Sequence, residues 1–87
     1  MPDGKPDCPD DQILIVSGHP APGLAGSPTP RAAAMIVAAD FLEPGDALVQ
    51  VEGTVFSMVR SGREVVVIRV SPGEAGGYFA NHYEQCG

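Results

Sequence analysis

Four side chains in this sequence have the chemistry to hold a soft metal ion: Cys8, His19, His82 and Cys86. His82 and Cys86 are spaced so that one helical turn would present both on one side. Zinc sites, however, take their ligands as tight pairs at both ends, and the segment carrying Cys8 and His19 has no CxxC knuckle. No metal and no other cofactor is therefore expected. Covalent catalysis fares no better. It needs a Ser or Cys beside a His that a carboxylate orients, yet the chain has no G-x-S-x-G, and Cys86 stands one residue from the C-terminal end of the sequence. Gly73, Gly76 and Gly77 do not open a helix in a phosphate-cradling pattern. The expectation is a protein that is not an enzyme.

The bulk numbers narrow the classes further. Eleven acidic residues stand against five basic ones, a net charge of −6, and Lys5 is the single lysine. Neutralising phosphates takes clustered Lys and Arg, so neither nucleic acid nor an anionic membrane is an expected partner. No apolar run is long enough to span a bilayer. The opening residues lack a basic stretch followed by an apolar one, so no signal peptide is read there. That leaves a chain that is cytoplasmic as synthesised, with Cys8 and Cys86 expected as free thiols. Were the two to meet, a disulfide closing so long a loop would add about 4–5 kcal/mol.

The elements that would position these groups are mainly β. Residues 41–70 read as three short strands joined by tight turns. Glu43-Pro44-Gly45-Asp46 is the entry turn, with Pro44 presetting φ and Gly45 tolerating a positive one. From Asp46 the residues alternate, Ala47, Val49 and Val51 on one face and Leu48, Gln50 and Glu52 on the other. Glu52-Gly53 and Ser61-Gly62 mark the two reversals. The third strand, residues 64–70, is apolar on both faces except at Arg69 and is placed at the centre of the sheet. The pattern resembles that of small barrels such as the Sm-like and SH3-like ones, and it is shared too widely to name a family. Thr29 as N-cap and Pro30 at the first helical position predict a short helix over residues 31–42, with Met35, Ile36, Ala39 and Leu42 along one face; the competing reading makes the all-apolar run Ala34 to Ala38 a strand. In the tail, Tyr78 with His82 and Phe79 with Tyr83 stand four apart, which suits one or two helical turns; alternation leaves a final strand as the other reading.

The fold class is thus β-rich α+β: a small antiparallel meander or SH3-like barrel with one helix and an extended N-terminal arm. Residues 1–30 form the arm, acidic and rich in Pro and Gly, with a short strand at 12–17; residues 31–87 form the compact domain. A domain of 87 residues buries only roughly 60–65% of its unfolded surface, so neighbours are expected to stabilise it. The functional expectation is a non-enzymatic assembly module that docks on a larger protein complex or forms a homo-oligomer; capsid-decorating, tail and other virion accessory proteins have this design. Ile13, Leu14, Ile15, Val16, Pro20 and Pro22 on the arm are the expected contacts, the apolar run pairing by strand addition. Arg60 and Arg63, grouped with Arg69, supply a basic spot for an acidic partner or for the acidic arm of a neighbouring copy. Their bland alternative is cross-strand pairing with Glu52 or Glu64. The competing function is an acidic small-barrel adaptor or inhibitor that occupies a basic site on a partner.

Overall fold

The computed structural model describes residues 4–18, 23 and 25–86. A 3₁₀ turn (Asp10–Gln12) leads into strand β1 (Ile13–Ser17), followed by helix α1 (Pro30–Ala38), β2 (Ala47–Glu52), β3 (Val55–Arg60), β4 (Arg63–Pro72) and β5 (Tyr78–Cys86). The strands form one antiparallel sheet in the order β1-β5-β4-β3-β2. It is a meander from β2 to β5 to which β1 is added beyond β5, so the valine-rich β4 lies at its centre. Ser61-Gly62, which joins β3 to β4, carries positive φ at both residues (52° and 77°), the conformation a two-residue hairpin needs to match strand twist.

Each face of the sheet has its own cover. On one face Leu48, Phe56, Met58, Val66, Ile68 and Val70 form the main core with α1. The helix starts where the cap predicts: Thr29 Oγ1 accepts from the Ala32 N–H at 3.1 Å. Its orientation differs from the sequence reading, because the sheet side is Ala33, Ala34 and Ala38 while Met35 and Ile36 point outward. Alanine lets the helix backbone lie close over β4 and β5, and that approach decides which side is buried. In β2 the face that opens with Leu48 is the one turned to this core, and Ala47 on the other face is exposed.

The second face carries Val51, Val55, Ser57 and Val67, and the N-terminal arm lies across it. The Gly4 N–H donates to Glu64 Oε1 at 3.0 Å, and the Asp7 N–H donates to the Glu64 carbonyl at 2.8 Å. Gly4 and Pro6 are buried there. Under them Ser57 Oγ donates to the same Glu64 carboxylate oxygen at 2.5 Å, so a carboxylate on an otherwise apolar face has its partners supplied.

Two expectations are corrected by this arrangement. The tail is strand β5, the alternating reading of that segment rather than the helical one: it pairs with β4 on one side and β1 on the other, and those ladders outweigh a local i,i+4 preference. Cys8 and Cys86 are not free thiols but a disulfide, their Cα atoms 6.0 Å apart, within the ordinary bridging range. The arm's return over the sheet brings Cys8 to the end of β5, a proximity that sequence separation conceals. Just before α1 the chain is tied to the sheet as well: Ser27 bridges Tyr78. At Gly26 a Cβ would fall 2.5 Å from the Tyr78 backbone, so no side chain fits.

Candidate interaction surface

Among the described residues, no group of three or more His, Cys, Asp and Glu side chains is placed to hold a metal ion. Cys8 and Cys86 bond to each other, which takes their sulfurs away from any metal. His82 Nε2 lies 3.9 Å from Glu84 Oε1. His19, Pro20 and Pro22 lie outside the described residues.

The arginines are engaged within their own chain. Arg60 forks onto Asp46, with Nη2–Oδ2 at 2.8 Å, and also donates to the Phe41 carbonyl at 3.1 Å and pairs with Glu43 at 3.0 Å. The Arg60 hydrogen bond, aided by the Glu43 N–H, holds the Asp46 carboxyl below its usual range, and the same bond raises Arg60. This cluster fastens the entry turn to β3. Arg63 donates to the Asp7 carbonyl at 2.8 Å and lies 3.5 Å from its carboxylate. Arg69 donates to the Gly4 carbonyl at 3.1 Å and to Glu84 at 3.3 Å. The acidic arm therefore meets Arg63 and Arg69 of its own subunit, the contact the sequence reading had offered to a neighbouring copy.

What remains open is β1. Its register on β5 runs from Ile13 opposite Cys86 to Ser17 opposite His82. The Gly18 N–H bonds to the Asn81 carbonyl at 2.9 Å in the continuation of that register. Opposed residues in an antiparallel ladder alternate between bonded and non-bonded pairs. Gly18 being bonded, Val16 and Leu14 also face β5, while Ile13, Ile15 and Ser17 turn their backbone groups to the outer edge. The Ile13 N–H is satisfied by the Asp10 carbonyl. Among the described residues, the Ile13 carbonyl and both groups of Ile15 and Ser17 meet no other strand.

The side chains fit that role. Among the described residues, the exposed large hydrophobics are Leu14 (53%), Ile15 (63%), Val16 (42%), Met35 (39%) and Ile36 (67%). All of them belong to β1 and α1. Leu14 and Val16 share a face with Gln85 and Tyr83, and Tyr83 packs against the helix-side core, so they emerge beside α1. There a cleft of about 500 Å³ runs between α1 and β5, lined by Gly18 from the end of β1, by residues 25–27, by Ile36 and Val37, and by residues 78–81. The outer strand β1 and the cleft thus both lie beside β5.

Ile13 to Val16 were legible as an apolar strand. Met35 and Ile36 were assigned to the helical face expected to pack, and the signal that could have found them is the run Ala32-Ala33-Ala34, whose small side chains suit a close helix–sheet contact. No family model, no curated protein and no solved structure matches this chain.

Proposed function

We propose that this protein is a non-enzymatic docking module that adds β1 to a strand of a partner protein. The observation that carries the reading is the outer edge of β1, where open backbone groups on Ile13, Ile15 and Ser17 coincide with exposed Leu14, Ile15 and Val16. Strand addition takes its affinity from main-chain hydrogen bonds and its selectivity from alternate side chains; the cleft beside α1 supplies the apolar pocket for the latter. The Cys8–Cys86 bridge supports action in an oxidising compartment, since such bonds seldom persist where glutathione is reducing.

The test uses the outward geometry of Ile15. An Ile15→Pro substitution deletes an N–H that the β5 ladder does not use, and an edge strand tolerates proline at such a position. Material co-purifying with the wild-type chain from its native source is compared with that held by Ile15→Pro, at low and high salt. Docking by β1 predicts a partner that is lost with Ile15→Pro and retained in salt. A partner kept by the variant, or one released by salt alone, would point instead to the charge-driven adaptor reading.

A further inference from the structure

The open groups on β1 can be matched by the same strand of another molecule, and we infer that the strand it receives is β1 of a second copy of this chain, paired antiparallel about a two-fold axis at Ile15. This rests on the docking reading above and names its partner. A two-fold contact requires one patch to complement itself. With Ile15 opposite Ile15 of the other copy, the two exchange both backbone bonds. Each Ser17 N–H reaches the opposite Ile13 carbonyl. The ladder makes no use of the Ile13 N–H, which the Asp10 carbonyl already holds.

Charge favours the same occupant and direction. The chain carries a net charge of −6, yet residues 13–17 carry none, so two acidic copies can meet there without opposing like charges. The nearest carboxylates along the chain are Asp10 and Asp11, at one end of β1. Antiparallel pairing sets Asp11 and its counterpart eight residue positions apart, about 27 Å at about 3.4 Å per residue, well beyond a screening length of about 8–10 Å. Parallel pairing would place them side by side. Leu14 then faces Val16 of the other copy on the helix side, and the two Ile15 side chains meet on the arm side.

The experiment is sedimentation velocity of the full chain from about 1 μM to about 1 mM, with amide hydrogen exchange at the upper end. The expected result is a monomer–dimer equilibrium in which the Ile15 and Ser17 amides become protected as the dimer forms. Ile15→Pro removes a central bond from each copy and is expected to weaken association at least about tenfold without changing the far-ultraviolet spectrum. Ile15→Lys keeps the backbone intact and sets two ammonium groups opposite one another; it is expected to abolish the dimer and serves if the proline variant fails to fold. A wild-type monomer throughout the range, or dimers of both variants as strong as wild type, overturns the second-copy assignment. If mass is indifferent to Ile15→Pro while a co-purifying partner is lost with it, the docking reading stands with a different occupant. If both are indifferent, both fall.

Discussion

Removing the Cys8–Cys86 bridge tests how much of this fold depends on the return of the arm. The bond closes a loop with a sequence separation of 78. Loop-closure entropy for that length gives about 4.5 kcal/mol at 25 °C, between the values for short loops and for ~100-residue ones. A domain of this size has roughly 4–13 kcal/mol of total stability, so the loss takes between a third and all of it. At about 4–8 °C per kcal/mol for a small domain, the melting temperature should drop by roughly 20–35 °C. The perturbation is the Cys8→Ser/Cys86→Ser double variant, with the reduced wild type as a control, and the assay is thermal and urea unfolding followed by circular dichroism. Exchange should show where the loss falls. The Gly4 and Asp7 amides, bonded to Glu64, should lose protection before the amides of β3 and β4. Their remaining ties are hydrogen bonds that contribute only about 0.5–1.5 kcal/mol each, an exposed Asp7–Arg63 pair that adds little, and the burial of Gly4 and Pro6, too little to order an arm that lacks an apolar core. A loss under about 1 kcal/mol with both amides still protected would refute this reasoning, because the arm would then be held by its other contacts and the bridge would be incidental.

Two further predictions follow from burial and charge. Phe56→Ala empties a fully buried site and should cost about 3–5 kcal/mol, whereas Ile36→Ala on the exposed helix side should change stability by no more than about 0.5 kcal/mol; urea midpoints of the two variants check which side of α1 is the core. Asp46 is held below its usual pKa by Arg60 and the Glu43 N–H, so its contribution is complete above about pH 4 and is lost as pH falls through the lowered value. A stability–pH profile should show that acid loss in the wild type, and Asp46→Asn should remove this part of it.

How far the sequence reading reached depended on whether a signal was local. The three-strand meander was legible because turn chemistry and period-2 alternation act within a few residues, as at Pro44-Gly45 and Ser61-Gly62. The start of α1 was legible for the same reason, Thr29 and Pro30 being the cap and first residue. The side of α1 that packs was not, since hydrophobicity ranks Met35 and Ile36 above alanine while the sheet selects for close approach. The tail misled because Tyr78, Phe79, His82 and Tyr83 satisfy a helical spacing, and only the strands on either side of β5 decide otherwise. The disulfide and the arm's contacts with Glu64, Arg63 and Arg69 join residues more than fifty positions apart, and composition shows the arm's charge without its destination. In the candidate surface, the apolar run of β1 could be read from type; its outward groups could not, because they follow from the register on β5.

The two ends of the sheet are protected very differently, and the contrast bears on what the protein does. At β2 the ladder with β3 shifts between Gln50 and Glu52, the Leu48 carbonyl is already taken by Arg31 at 3.1 Å, and Glu52 places a charge on an exposed position. Bulges, charges and covering side chains are the usual means of keeping an edge from recruiting strands. At β1 none of them is present among the described residues; the edge offers Leu14, Ile15 and Val16 beside open backbone groups. A chain that blunts one edge and leaves the other apolar is suited to a partner at the second, because an uncovered edge of that composition would otherwise recruit strands without limit. Pairing β1 to β1 uses up the open edge of both copies and leaves only the two β2 edges outermost. Assembly should therefore stop at two. Sedimentation at the highest concentrations should show a plateau at the dimer mass, and growth beyond it, with fibril-type dye binding, would mean that β2 is not the closed edge its bulge and Arg31 make it.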